Sequence, residues 1–197
     1  MRLILASQSL SRRALLKGTG IDFETMPASV DETTIKESAQ AEGVSAADTA
    51  ILLADAKAAR IAQRHPEAVI IGADQILVCD GAWFDKPADL AAAREHLHKL
   101  RNRPHELLTA VVVWRNGRRA WHHLATPRLT MRDFSEAFLD DYLAREGAFV
   151  TQSVGAYRLE GMGIQLMRDI RGEHTAILGL PLLPLLAYLR DAGAIKV

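Results

Sequence analysis

The stretch VIIGADQILVCDG at residues 69–81 is the strongest indication of the fold in this sequence. Its near-continuous apolar run has the length of a strand and is typical of a strand buried within a sheet. The Asp80-Gly81 pair then predicts a tight turn, because both residues tolerate the backbone angles of a hairpin. Asp74 is the one carboxylate inside the run. Residues 69–78 therefore predict a core strand that carries a single acidic side chain.

Shorter patterns on either side predict a mixture of strands and helices. Strand patterns cover 3–7, 21–26, 107–114, 119–125 and 164–170, and helix patterns cover 12–17, 47–64, 89–100, 135–145 and 182–189. Asn116-Gly117 predicts a hairpin between two of the strands, which a purely parallel sheet leaves unexplained. The sequence therefore predicts an α/β protein with a mixed sheet. No repeat or linker-like segment is visible, so we expect a single domain over residues 1–197.

Composition and charge exclude several classes of protein. The chain carries 24 basic and 24 acidic side chains, and 49% of its residues are hydrophobic. This balance excludes intrinsic disorder and argues against a nucleic-acid or membrane partner bound through a basic surface. Cys79 is the one cysteine, so no intramolecular disulfide can form. Since no apolar run is long enough to span a bilayer, the expected location is the cytoplasm.

Residues 7–13, SQSLSRR, lie where the first predicted strand gives way to a helix. Backbone N–H groups at a helix start carry partial positive charge, so Arg12 and Arg13 are unfavourable there in isolation. An anion such as a polyphosphate would satisfy both arginines together with the serine hydroxyls. The alternative is that Ser11 caps the helix and both arginines point into water. The local pattern favours neither interpretation.

Asp74 also has two interpretations, because a buried charge needs a cation, a hydrogen-bond partner or an opening to solvent. We favour a general base or metal ligand at an opening in the sheet. The alternative is a structural carboxylate bonded to backbone N–H groups at a bulge beside Gly72. Asp31-Glu32, in a predicted loop at 30–33, would add the oxygen ligands that Mg²⁺ prefers if it lay beside Asp74.

Several longer segments follow one another in an order that indicates a family. They are LILASQSLSRRALL at 3–16, VDET at 30–33, LADAKA at 53–58, IIGADQILVCDGAWFDKP at 70–87, VGAYRLEGMGIQLM at 154–167 and LGLPL at 178–182. In this order, over nearly the whole chain, they resemble the Maf family of nucleotide pyrophosphatases. The resemblance implies an elongated mixed sheet with flanking helices, related to the inosine triphosphatases, and a cleft between two lobes.

The same resemblance implies a metal-dependent house-cleaning hydrolase that cleaves a nucleoside triphosphate between its α- and β-phosphates. Asp74 would accept the proton of the attacking water, and Glu32 and Asp74 would hold Mg²⁺ or Mn²⁺. The implied phosphate-binding residues are Ser7, Arg12, Arg13, Lys57 and Lys86. The alternative is a nucleotide-binding regulator of cell division and septum formation, in which hydrolysis is weak or incidental. A homodimer is a further expectation from the family.

Further positions bear on the choice of nucleobase. Gln75 and Glu160 resemble the branch of the family that acts on 7-methyl-GTP, whereas Ser11 departs from both known branches. Serine at position 11 lacks the aromatic surface on which a cationic methylated base would stack. The Glu160 carboxylate would still accept hydrogen bonds from a guanine. The resemblance therefore implies that the substrate is a modified purine nucleotide such as 7-methyl-GTP.

Overall fold

A computed structural model of the chain describes residues 1–196. Its strands are β1 (Leu3–Leu5), β2 (Glu24–Thr25), β3 (Val69–Cys79), β4 (Ala82–Phe84), β5 (Pro104–Arg115), β6 (Arg118–Ala125), β7 (Arg128–Met131) and β8 (Met167–Arg171). Its α-helices are α1 (Leu10–Gly18), α2 (Glu32–Ala41), α3 (Ala46–Ala62), α4 (Leu90–Leu100), α5 (Glu136–Glu146), α6 (His174–Ile177) and α7 (Leu182–Asp191). Short 3₁₀ helices follow α5 at Gly147–Gln152, Val154–Ala156 and Met162–Leu166.

The strands form one mixed sheet in the order β2-β1-β3-β5-β7-β8, with β4 paired to β3 and β6 paired to β5. β1 runs parallel to β2 and β3, whereas β3–β4, β5–β6 and β7–β8 are antiparallel. Asp80-Gly81 joins β3 to β4 and Asn116-Gly117 joins β5 to β6, all with positive φ. The mixed sheet and both turns predicted from sequence are therefore confirmed.

The chain divides into two compact units. The first contains Met1–Gln75, Leu108–Ala125 and the chain from Glu173 onward, and the second contains Ile76–Leu107 and Thr126–Gly172. The single domain over residues 1–197 stays a prediction, as do the elongated outline and the cleft, and Val197 lies outside the described residues. Among residues 1–196 we find no helix with the length and apolarity that a bilayer crossing requires.

The first unit buries both faces of β1 and β3. On one face, Leu5 belongs to an apolar cluster with Leu185 of α7, and on the other, Ile4 belongs to a cluster with Ala58 of α3. Successive side chains of a strand point to opposite faces, so a strand covered on both sides needs apolar residues at every position. This explains the unbroken apolar run at the start of β3.

Gly72 allows α3 to approach β3 closely. A Cβ atom at Gly72 would lie 2.1 Å from the carbonyl oxygen of Ala54 and 2.9 Å from the Cβ of Ala58. Because such distances leave no room for a methyl group, only glycine permits this packing. Gly72 and Asp74 share one face of β3, so the close packing also brings α3 next to Asp74.

Serine residues are the N-caps of two helices. The Ser45 hydroxyl accepts the N–H of Asp48 at 3.1 Å and donates to the Asp48 carboxylate at 2.6 Å, at the start of α3. Ser135 accepts the N–H of Phe138 at 3.2 Å, at the start of α5. A short polar side chain at this position satisfies an N–H group that has no partner within the helix.

The predicted loop at 30–33 is wrong, because it is the start of α2. Asp31 is the N-cap: one carboxylate oxygen accepts the N–H of Thr34 at 3.1 Å and the other accepts its hydroxyl at 2.9 Å. Glu32 becomes the first residue of the helix, where the helix dipole stabilises a carboxylate. The segment ETTIKESAQA contains little apolar periodicity, which is why its pattern does not reveal a helix.

Three predicted strands are longer than the observed ones, and the first of them, at 3–7, ends at Leu5. The pattern at 21–26 forms a strand only at Glu24–Thr25, and the pattern at 164–170 forms a strand only from Met167. A Cβ atom at Gly163 would lie 2.3 Å from the carbonyl oxygen of Arg158. The chain therefore folds back on itself in this region, and the segment before Met167 forms a 3₁₀ helix instead of extending.

The second unit buries a histidine. His105 of β5 is 2% exposed, and its Nε2 lies 2.9 Å from the hydroxyl of Tyr157. The two rings meet edge to face, with their centroids 5.5 Å apart. Burial lowers the pKa of His105 to about 4, because a protonated ring would lose its hydration there.

We expect acid to destabilise the fold between about pH 6.5 and pH 4. The His105 pKa is lowered from 6.5 to about 4 on folding, so the unfolded chain binds more protons in this window. The free energy of unfolding should therefore fall by up to about 3 kcal/mol as the pH falls. Urea denaturation across this range measures the slope. His105→Gln, which keeps a polar partner for Tyr157, should flatten it, and an unchanged slope would contradict the assignment.

Candidate active site

Two serine side chains accept backbone N–H groups at the start of α1. Ser9 is the N-cap, because its hydroxyl accepts the N–H of Arg12 at 3.3 Å. The hydroxyl of Ser7, which is buried, accepts the N–H of Ser9 at 3.2 Å. The interpretation in which Ser11 caps this helix is therefore wrong, and Ser11 lies half-buried in its first turn.

Arg12 does not point into water. Its Nε donates to the carbonyl oxygen of Gly179 at 2.9 Å, and its Nη1 donates to that of Ala73 at 2.9 Å. Burial lowers the pKa of Arg12, and the negative charges of Asp74 and Glu32 oppose that shift. The guanidinium is thus fixed against β3 within electrostatic reach of both carboxylates. Arg13, in contrast, is exposed.

Lys57 binds the predicted catalytic carboxylate, Asp74, and the predicted metal ligand, Glu32. Its Nζ lies 2.5 Å from Oδ1 of Asp74 and 2.8 Å from Oε1 of Glu32. Lys57 and Asp74 are 7% and 4% exposed, whereas the Glu32 side chain is 45% exposed. The partner of Asp74 is therefore an ammonium group, and the interpretation that relies on backbone N–H groups at a bulge is wrong.

Arg12, Glu32, Lys57 and Asp74 form one charge cluster in the first unit. It balances two cations against two carboxylates, and the carboxylate oxygens converge on a single cation, Lys57. Two converging carboxylates are a donor set that suits Mg²⁺ or Mn²⁺, which fill their remaining positions with water and phosphate oxygens. Within residues 1–196, no group of three or more His, Cys, Asp or Glu side chains is placed to hold a metal ion.

Gln75 points to the opposite face of β3 from Asp74. Its Nε2 lies 2.8 Å from Oγ1 of Thr109 and 3.1 Å from the carbonyl oxygens of both Ala176 and Ile177. Thr109, which is fully buried, was not predicted from the sequence as a site residue. The available signal was the same as for Asp74, since Thr109 is a polar residue within the apolar run LLTAVVV at 107–113.

Lys86 and Glu160 belong to the second unit. Lys86 is exposed just after β4, and Glu160 is exposed in the turn before the 3₁₀ helix Met162–Leu166. Buried Glu146 anchors this turn by accepting the N–H of Met162 at 2.7 Å. The structure brings together the four members of the charge cluster. That Lys86 and Glu160 act in the same site stays a prediction.

The chain is similar to one family of known proteins. A family model described as Maf-like protein matches residues 2–192. A nucleoside triphosphate pyrophosphatase of Granulibacter bethesdensis is 56% identical over 197 residues, which cover 100% of both chains. A protein of the same name from Rhodospirillum rubrum is 54% identical over 98% of this chain and 95% of its own. A 7-methyl-GTP pyrophosphatase of Rhizobium meliloti is 46% identical over 98% of this chain and 97% of its own.

We expect Lys57→Met to lower the free energy of unfolding by about 3 kcal/mol, because it leaves the buried Asp74 carboxylate without its cation. Removing both partners in Lys57→Met/Asp74→Asn should cost less than the sum of the single changes. Urea denaturation of the two single variants and the double variant measures this coupling. Lys17→Met, at an exposed lysine of α1, is the control and should change stability by about 0.5 kcal/mol or less. Additive effects would contradict the pairing.

Proposed function

This chain belongs to the Maf-like family, and on that premise we propose that it is a nucleoside triphosphate pyrophosphatase. The proposed reaction hydrolyses the anhydride between the α- and β-phosphates and releases a nucleoside monophosphate and pyrophosphate. The observation that carries the proposal is the charge cluster, in which two carboxylates and two cations converge beside the start of α1.

Asp74 is the proposed acceptor of the proton from the attacking water. Its carboxylate lies in a buried setting next to a fixed cation, and a base held in position contributes strongly to hydrolysis. Lys57 holds Asp74 and Glu32 in one orientation before the substrate binds. Packing sets the positions of both carboxylates. A water molecule bound by Asp74 would therefore lie next to a base that is already oriented.

The phosphates are the proposed ligands of Ser7, Arg12, Arg13, Lys57 and Lys86. Arg12 supports this role because Nε and Nη1 are engaged by backbone carbonyl groups, which leaves Nη2 to donate to a phosphate oxygen. Backbone N–H groups at the start of α1 add partial positive charge in the same place. Such fixed donors stabilise the charge that develops on the leaving pyrophosphate.

Glu32 and Asp74 would hold the divalent metal, Mg²⁺ or Mn²⁺. Their oxygens already converge on one cation, and hard oxygen ligands match the preference of both metals. When bound, the metal would neutralise phosphate charge. The chain's own contribution is to fix both carboxylates through Lys57.

The proposed substrate is a modified purine nucleotide such as 7-methyl-GTP. Support comes from Gln75 and Glu160, and from relatives of which some are named 7-methyl-GTP pyrophosphatase. Ser11 offers a hydroxyl where an aromatic residue would stack on the base, so recognition would rely more on hydrogen bonds. The cytoplasmic location and the homodimer stay predictions.

We expect Asp74→Asn to lower the rate of pyrophosphate release by about 10²- to 10⁴-fold, because it removes the proton acceptor. Release from a panel of ordinary and methylated nucleoside triphosphates in Mg²⁺ measures the rate. Binding of an uncleavable α,β-methylene analogue, measured at a Mg²⁺ concentration that saturates the variant, should change little. Asp55→Asn, at a carboxylate of α3 that bonds Nε1 of Trp114, is the matched control and should keep full activity.

If the wild-type protein binds nucleotides but releases no pyrophosphate, the cell-division regulator replaces the enzyme. If Asp74→Asn hydrolyses as fast as the wild type, Asp74 is not the base.

We expect Glu32→Gln to raise the Mg²⁺ concentration needed for half-maximal activity by about tenfold or more, because it removes one of two carboxylate ligands. Direct Mn²⁺ binding, followed by electron paramagnetic resonance, should weaken in parallel. Glu37→Gln, at an exposed position of the same helix, is the control. Equal metal dependence in both variants would place the metal elsewhere.

A further inference from the structure

We propose that Lys57 is a resident substitute for the divalent metal. Its ammonium group occupies the position between Glu32 and Asp74 and must leave it before a metal ion binds there, which releases a positive charge for a phosphate group. This inference rests on the proposed function, because it concerns the regulation of the proposed metal site.

The ammonium group of Lys57 already bonds the oxygen atoms that a metal ion would need. Its Nζ lies 2.5 Å from Oδ1 of Asp74 and 2.8 Å from Oε1 of Glu32. An ammonium group only donates hydrogen bonds, so both carboxylate oxygens act as acceptors toward a single cation. A divalent ion takes the same kind of oxygen as its ligands. The ammonium group and the metal therefore compete for the same two carboxylates.

The charge balance of the cluster favours this competition. Two cations, Arg12 and Lys57, stand against two carboxylates, so the cluster has no net charge. A divalent ion would add two positive charges where water screens them poorly, unless a cation left or an anion joined. Backbone carbonyl groups hold the Arg12 guanidinium in place. Lys57 is the cation that can move, because its charge lies at the end of a flexible four-carbon chain.

The exchange is expected to begin at Glu32, because its carboxylate is the accessible one. The side chains of Lys57 and Asp74 are 9% and 6% exposed, whereas that of Glu32 is 45% exposed. Glu32 is also the first residue of α2, directly after the N-cap Asp31. A hydrated metal ion can therefore contact Glu32 first and reach Asp74 only as the ammonium group withdraws.

This exchange reconciles two roles of Lys57 that otherwise conflict. A phosphate ligand must direct its donors at the substrate, but the ammonium group of Lys57 faces two carboxylates and is almost fully buried. Once both carboxylates bind a metal ion, the ammonium group needs a new anion, and a phosphate group supplies it. The metal and the nucleotide should therefore bind cooperatively, each raising the affinity for the other.

Direct Mn²⁺ binding, followed by electron paramagnetic resonance at pH 8, tests the competition without relying on turnover. We expect Lys57→Met to bind Mn²⁺ about tenfold or more tightly than the wild type, the worth of about one hydrogen bond to a charged group. A residue that only orients the two carboxylates would have the opposite effect, because its loss would weaken Mn²⁺ binding. The sign of the change thus separates a competitor from a structural residue.

Lys17→Met is the matched control, because it removes the same charge from an exposed position of α1. It should change the Mn²⁺ affinity by about twofold or less. Lys57→Met/Glu32→Gln should lose the tightened binding, since one of the two competing carboxylates is gone. Urea denaturation adds a second readout: saturating Mn²⁺ should stabilise Lys57→Met more than it stabilises the wild type, because the tighter ligand stabilises the folded state more.

A measurement on the wild-type protein decides the question if Lys57→Met does not fold. Lys57 is the one buried lysine among residues 1–196, so its ¹⁵N-labelled ammonium group should give a nuclear magnetic resonance signal protected from exchange with water. Adding Mg²⁺ alone should shift this signal and speed its exchange toward that of the exposed lysines. An unchanged signal in saturating Mg²⁺ would show that the ammonium group stays in place.

Two results would overturn the proposal: unchanged or weaker Mn²⁺ binding in folded Lys57→Met, or a Lys57 signal that saturating Mg²⁺ leaves unchanged. Failure of the pyrophosphatase function is seen separately. In that case the wild-type protein releases no pyrophosphate from any nucleoside triphosphate, while Mn²⁺ binding still tightens in Lys57→Met.

Discussion

The contact between Lys57 and Asp74 is the interaction on which the candidate site depends. Each group is almost fully buried, and a buried charge persists only when a partner of opposite charge lies close to it. The contact forms because Gly72 lets α3 approach β3, and Glu32 reaches the same ammonium group from the start of α2. Elements distant in sequence must therefore fold together before the carboxylates converge. The fold and the proposed chemistry depend on the same packing.

Backbone carbonyl groups restrain the polar side chains of the first unit before any ligand binds. Those of Ala73 and Gly179 hold Arg12, and those of Ala176 and Ile177 hold the Gln75 amide. Their rotational freedom is lost on folding, so little more is lost when a substrate binds. Fixed donors also need no rearrangement as charge develops during hydrolysis. This preorganisation is what distinguishes the cluster from a set of mobile surface charges.

Sequence patterns that span only a few residues predicted the elements in which they occur. The apolar run of β3 and the Asn116-Gly117 turn each act over a few residues, and the structure contains both. Helix α2 was missed because its only strong cue is the Asp31 cap, and β7 was missed because it has only four residues. The strand expected from residue 164 begins only at Met167, because the close contact between Gly163 and the Arg158 backbone is not visible in a local pattern.

The sequence by itself determined that Asp74 is a lone carboxylate in a buried strand, that Arg12 lies at a helix start, and that the ordered motifs resemble one family. The tertiary structure alone decided that the partner of Asp74 is Lys57 and that Gln75 turns to the other face of β3, against Thr109. The reason is physical. Residue type and spacing set which groups need a partner, whereas the partner is whichever donor or charge the packing of distant elements brings within reach.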